Sequence, residues 1–292
     1  MAPLVVVVGD AVLDVHVAPS EPMRPGGDVP ASIGLEPGGQ GANVAVRLAR
    51  RGVSVRLVCA LGQDIAGRIL RDALAVDEVA IHDLGAPATG TVIALLDPAG
   101  ERTMLSQRVP LLDRRWPALA GAGWIIVSGY VLLEGSPSGL DAEPGRTMVL
   151  GCSLSADLAA AWEAAARALR PALTILNQEE ATTLAGVAAP AVLSSKLGGR
   201  LGGLVVVTSP DSATVTVGSE TVTVSRPPAE PAVDTTGAGD AFAATLLAEL
   251  VDAPWPPDAG PLRAGLTSAI TAATDVTRFA GAQARIGGER GC

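Results

Sequence analysis

The run Asp234-Thr235-Thr236-Gly237-Ala238-Gly239-Asp240-Ala241-Phe242 sets two glycines and a carboxylate at what reads as the start of a helix. Glycines there let backbone N–H groups close on an anion, and the positive end of the helix dipole favours negative charge. A carboxylate beside such a turn suits a base that takes a proton from an attacking hydroxyl. Taken alone, the run is equally a glycine-rich loop with Asp240 as a helix cap.

Three further groups repeat the order strand end, glycine or polar turn, helix start. Gly9-Asp10-Ala11-Val12-Leu13-Asp14 puts two carboxylates at the carboxyl end of the first apolar run, where ligands bind in open α/β sheets. Either can accept hydrogen bonds from sugar hydroxyls, and each taken singly also fits a turn or a cap. Gly38-Gly39-Gln40-Gly41-Ala42-Asn43 lets backbone approach a polar ligand and aims Asn43 at it, or is a tight loop before a helix. Asn177-Gln178-Glu179-Glu180 opens another helix. Its asparagine and glutamate, three residues apart, give oxygen donors suited to Mg²⁺ travelling with phosphates, although acids favour the first turn of any helix.

The elements that must position these residues follow the pattern of parallel βα units: apolar runs at 4–8, 53–59, 124–128, 173–176 and 204–208 alternate with helical patterns at 41–51, 65–76, 158–169 and from 178. Helices are expected over 238–250 and 261–278. The fold expected is α/β, a doubly wound, mostly parallel sheet flanked by helices. Residues 14–36 and 88–109 read instead as extended, with a turn at Asp97-Pro98-Ala99-Gly100, and suit a small β-sheet lid over the mouth of the site or an ordinary edge hairpin.

Composition removes several function classes. The chain has 292 residues, 48% of them hydrophobic, enough for a large core, and its net charge of -9 argues against a nucleic-acid partner. Apolar runs have strand length, so no membrane span is expected. Met1-Ala2-Pro3 lacks a basic signal region, and the scattered Cys59, Cys152 and Cys292 suit reduced thiols, so a cytoplasmic protein is expected. His16 and His82 form no HExxH pair, and neither lies near a GxSxG elbow. Lys196 is the only lysine and is followed by Leu197, so there is no Walker A loop. Any triphosphate must be held by backbone amides, metal and arginine.

In this order and spacing the four groups resemble the ribokinase-like (PfkB-type) carbohydrate kinase family across nearly the whole chain. Residues 234–242 are similar to its C-terminal signature, 38–45 to its N-terminal signature, Asn177 with Glu180 to its NxxE motif, and 89–103 to the strand pair and turn of its lid. The resemblance implies one ribokinase-like unit over 1–292 and ATP-dependent phosphorylation of a hydroxymethyl group on a ribose-like pentose or a hexose. It makes Asp240 the general base and the amides of Gly237, Ala238 and Gly239 the anion hole. Asp10, Asp14, Gly38, Gly39, Asn43 and Glu134 match sugar contacts; Asn177, Thr208, Thr236, Gly237 and Gly239 match nucleotide contacts. Glu180 and Asn177 match residues that organise Mg²⁺ through water, and Asp234 and Thr236 lie where members can hold K⁺. An apolar lid face can pair two subunits.

The chain departs from the family in three places. Thr208-Ser209-Pro210-Asp211-Ser212-Ala213 lacks the usual glycines, and Pro210 has no N–H to offer a nucleotide. Arg108-Val109-Pro110 replaces a Gly-Ala-Asn segment, and Ala284-Arg285 replaces a small polar residue near the cation position. These departures keep two alternatives open: a nucleoside or sugar-phosphate kinase of the same family, with Arg102 or Arg108 as an anionic-group anchor, and a sugar-binding member with an impaired nucleotide site. The chain has only seven aromatics, none of them in the lid segments, which favours a free sugar over a nucleoside. A dinucleotide-dependent enzyme is disfavoured, because no GxGxxG follows the first strand.

Overall fold

The computed structural model describes residues 3–96, 102–111, 119, 121–135, 146–286 and 289; the turn expected at 97–100, together with Glu101 and Cys292, lies outside them. In chain order the strands are β1 (Leu4–Val8), β2 (Val12–Pro19), β3 (Ala31–Gly38), β4 (Val55–Cys59), β5 (Ala80–Asp83), β6 (Gly90–Leu96), β7 (Arg102–Gln107), β8 (Ala122–Val127), β9 (Arg146–Leu150), β10 (Leu173–Asn177), β11 (Leu204–Thr208), β12 (Ser212–Val217) and β13 (Glu220–Ser225). The helices are α1 (Gln40–Arg50), α2 (Ile65–Val76), α3 (Gly129–Leu132), α4 (Ala156–Ala168), α5 (Gln178–Ala185), α6 (Pro190–Leu201), α7 (Ala238–Leu250) and α8 (Ala259–Val276).

Among the described residues, nine strands form one sheet in the order β13-β12-β11-β10-β9-β8-β1-β4-β5. All its neighbours from β11 to β5 run parallel, and β12 and β13 extend it antiparallel. The sequence of β1, Leu-Val-Val-Val-Val, is continuous rather than alternating because both faces are covered. Val5 and Val7 join the apolar cluster containing α1, α7 and α8 residues; Val6 and Val8 join the cluster containing α4 and α6 residues. Each such valine removed from water is worth roughly 1.5–3 kcal/mol, so this strand is pinned from both sides.

The direction of winding reverses at β1, which has β8 on one side and β4 on the other. That switch point opens a crevice at the strand carboxyl ends. Thr208, Asn177, Gly151, Ser128 and Gly9-Asp10 follow or end successive strands along that edge. The second sheet, β3-β2-β6-β7, is built from the segments expected to form the lid. Val15 is paired with Leu35 and Ile93, and Ile93 with Leu105, so these four share one face. Asp14 stands on the opposite face, paired with Glu36 and Val92.

The sequence reading passed over β5, β9, α3, α6 and the β12–β13 hairpin. In the hairpin threonine alternates with valine, so it lacks the continuous apolar run that marks the buried parallel strands, although Ala213, Thr214 and Val215 of β12 are buried.

Candidate active site

Gly237 caps α7 in a left-handed conformation (φ 77°, ψ 2°), and a Cβ there would come 2.8 Å from the backbone of Ala282. The turn therefore requires glycine. Of the first-turn amides that follow, Ala238 N donates to the Thr235 carbonyl at 3.3 Å and Ala241 N to the Gly237 carbonyl at 2.8 Å, while the geometry of a helix start gives those of Gly239 and Asp240 no intrahelical acceptor. Asp240, in that first turn, accepts a 2.8 Å hydrogen bond from Asn43 Nδ2 of α1. Burial of the carboxylate pushes its pKa up to about 7. The Asn43 bond and the positive charge of Arg47 pull the other way, while Asp10 and Asp14 add to the rise. A carboxylate titrating near neutrality is suited to taking a proton from an alcohol.

One end of the crevice is lined with sugar-type groups. Asp10 is buried, with one oxygen 3.5 Å from the amide of Gly41 and 3.4 Å from Ser128 Oγ. Its other oxygen is ion-paired with Arg108, whose guanidinium lies 3.7 Å from the centroid of the Tyr130 ring. Gly39 adopts φ 97°, and any Cβ would come 2.7 Å from the Asp10 carbonyl, so the glycine turn is what lets α1 begin against the end of β1. Gly38 abuts the Asp14 carboxylate with no room for a side chain. Glu134 is exposed, and its carboxylate accepts the amide of Leu111 at 2.9 Å, tying down the segment that follows Arg108.

The other end carries the nucleotide-type residues. Asn177 and Glu180 form a complete capping box on α5: Asn177 Oδ1 accepts the Glu180 amide and Glu180 Oε2 accepts the Asn177 amide, both at 2.8 Å. Their spacing is thus accounted for by helix capping, with lone pairs to spare. Burial pushes Glu180 up to about 7, against the pull of the Asn177 amide. Glu180, Asn177, Thr208, Gly239 and Asp240 line one cavity of about 100 Å³. Thr208 and Gly239 also line a neighbouring cavity of about 290 Å³, with Pro210, Arg226 and Phe242. The second cavity is largely apolar, as a purine ring requires, and the two meet beside the start of α7.

Around Pro210 the turn from β11 to β12 is closed by Ser209 and Ser212: the Ser209 amide donates to the Ser212 carbonyl at 2.7 Å, and the Ser212 amide donates to Ser209 Oγ at 3.0 Å. Serine hydroxyls thus close a turn that lacks the family's glycines. Asp234 Oδ1 accepts from the Thr236 amide and hydroxyl at 2.9 and 2.6 Å, and Asp234 Oδ2 accepts from Gly281 N at 3.0 Å, so this pair braces the loop ahead of the 237–239 turn. No cluster of three or more His, Cys, Asp or Glu side chains able to hold a metal stands among the described residues. The oxygen donors present fit a Mg²⁺ held largely by phosphates and water.

The structure brings Asp240, Asn43, Asn177, Glu180, Thr208 and the 237–239 turn to one crevice, with Asp10 beside the start of α1. Sequence reasoning missed three contributors. Gln40 accepts from Ser128 Oγ and Gly129 N and donates to the Gly151 carbonyl, joining three strand ends. Arg47 is buried at the fourth position after Asn43, a helical spacing that an amphipathic reading could have flagged as a charge on a covered face. Gln283 reaches Asn43 from the C-terminal segment, a long-range contact with no local signal.

A family model described as pfkB family carbohydrate kinase matches residues 2–285. A fructokinase of Salmonella typhimurium is 31% identical over 277 residues, covering 84% of this chain and 87% of that protein. Among solved structures, a ribokinase from Thermotoga maritima superposes with a TM-score of 0.80 at 19% identity, covering 96% of this chain and 95% of that one. A ribokinase from Cryptococcus neoformans, solved with ADP, gives 0.72 at 20% identity over 97% and 96%. The fold is therefore the ribokinase-like α/β fold.

Proposed function

Because the chain belongs to the PfkB carbohydrate kinase family, we propose that it phosphorylates a hydroxymethyl group of a free sugar, a hexose such as fructose or a ribose-like pentose, from Mg-ATP. The observation that carries this reading is Asp240, held by Asn43 between a polar sugar end and a cavity of nucleotide size. Asp240 takes the hydroxymethyl proton as that oxygen attacks the terminal phosphorus in line, and the bond to the ADP oxygen breaks. The amides of Gly237, Ala238 and Gly239 face the charge that builds on the transferring group. Asp10, Asp14 and the Gly38-Gly39 backbone orient the sugar, with Glu134 supporting that end. Asn177 and Glu180 would hold a Mg²⁺ through its waters, and the ion would neutralise charge on the phosphates; Thr208 and Thr236 border the nucleotide. Asp234 and Thr236 would hold any monovalent cation.

Arg108 favours a second reading. A guanidinium at the sugar end can anchor a carboxylate or phosphate on the substrate, provided Asp10 releases it. A coupled ADP-release screen over fructose, ribose, sugar phosphates, sugar acids and nucleosides tests both. Turnover with neutral sugars supports the first reading and turnover confined to anionic sugars the second. Failure with every sugar, at saturating Mg-ATP, would sink both.

Two copies are also proposed to pair through the outer lid face, where Ile33, Leu35 and Leu105 are 65%, 56% and 53% exposed. A monomeric mass in solution removes that proposal.

A further inference from the structure

We propose that Gln283 is a positioning residue for the catalytic base: its side-chain amide fixes the orientation of Asn43 and thereby keeps Asp240 ready to accept a proton. The proposal rests on the reading of Asp240 as the base. Its geometry is a one-way chain. Gln283 Nε2 donates to Asn43 Oδ1 at 3.0 Å, and Asn43 Nδ2 donates to Asp240 Oδ2 at 2.8 Å.

An ionised carboxylate only accepts hydrogen bonds, so Asn43 serves the base only with its NH₂ toward Asp240. A free asparagine amide can turn over, presenting its carbonyl to a protonated Asp240 and stabilising the form that cannot act as a base. A donor held against Asn43 Oδ1 opposes that turn. Gln283 is that donor, and the segment carrying it is itself held from α1: Arg50 donates to the Gln283 carbonyl at 2.7 Å, and Arg47 donates to the carbonyls of Ala282 and Ala284 at 2.6 and 3.2 Å. The helix that supplies Asn43 therefore also grips the loop that orients it.

The charged groups acting on Asp240 besides Asn43 are Asp10, Arg47 and Asp14, from the end of β1, α1 and β2. None of them is altered by a change at 283. A neutral substitution at 283 therefore reports on the amide chain rather than on the field around the base, whereas Gln283→Glu alters both.

The test is the pH dependence of kcat/KM for sugar phosphorylation in the wild type, Gln283→Ala, Gln283→Met and Gln283→Glu. Loss of one oriented hydrogen bond to the ionised form is expected to raise the acid limb by about half a pH unit or more in Gln283→Ala and Gln283→Met. Gln283→Glu draws the Asn43 NH₂ to itself and should raise it further. Near pH 6.5 a half-unit shift lowers the rate about threefold beyond any change in the alkaline plateau, and KM for ATP is unchanged. Gln283→Met keeps length and volume without a donor, so the result stands even if the alanine variant fails to melt cooperatively.

Acid limbs that coincide with wild type in the folded variants, with only the amplitude reduced, would overturn the proposal and leave Gln283 as packing. A wild type that transfers no phosphoryl group to any sugar overturns instead the functional reading beneath it.

Discussion

Asp240 meets two opposed demands, since the burial that suits it to catalysis also costs the fold. Its usual value of 3.8 is pushed up to about 7. Between those values the folded state holds more protons than the unfolded chain, so this group's contribution to stability falls as pH rises from about 4 to 7 and then stays at its lowest. Asp240→Asn should therefore raise the melting temperature at pH 8, by an amount worth about 1–2 kcal/mol, with the gain vanishing near pH 4. Thermal melts of both proteins at the two pH values check this; an equal or lower melting temperature for the variant at pH 8 contradicts it. Gly237 fails differently. Gly237→Ala faces both a left-handed φ and the Ala282 backbone, so it should cost at least about 1–2 kcal/mol and most of the activity, read by melting and ADP release. A fully active Gly237→Ala enzyme would show that this turn is not shaped as described.

At the scale of elements, α1 joins the sugar end to the C-terminal segment. Arg47 and Glu289 are both about 1% exposed and ion-paired at 2.9 Å, and Arg50 makes a two-pronged bond to Asp77 at 2.8 Å. Removing one member of a buried pair leaves the other charge without its partner, so Arg47→Ala should destabilise by about 3 kcal/mol or more. The double variant Arg47→Met/Glu289→Gln should recover much of that in urea unfolding; if it recovers nothing, the pair is not the reason. The lid offers a separate test. Leu35→Glu places a charge in the apolar row Leu35-Val15-Ile93-Leu105 and, on the proposal that two copies pair through this face, should yield monomers in sedimentation experiments without unfolding either sheet. A variant mass equal to that of the wild type would contradict pairing through this face.

For the molecule as a whole, the sequence was most legible where local chemistry and local structure coincide. Uninterrupted valine in β1 marked a strand covered on both faces, and Gly39 and Gly237 marked turns that only glycine makes. Asn177 and Glu180 were legible as a pair, although their spacing is explained in part by helix capping. The threonine-rich β12–β13 hairpin was lost because threonine alternates with valine and breaks up any continuous apolar run, even though its central residues are buried. The partners of Gln283 and Arg47 were lost for a different reason: they lie 240 and 242 residues away, and although helical spacing could mark Arg47 as covered, no periodicity in a single chain says which residue meets it.

The central claim is that this crevice transfers phosphoryl groups to a sugar hydroxyl through Asp240. It is tested most directly by measuring sugar-dependent ADP release by the wild type and Asp240→Asn side by side, with sugar and nucleotide binding followed by calorimetry. The account predicts turnover by the wild type and a loss of several orders of magnitude in kcat for the variant, with both affinities retained within a few-fold. Turnover by Asp240→Asn at the wild-type rate would contradict it.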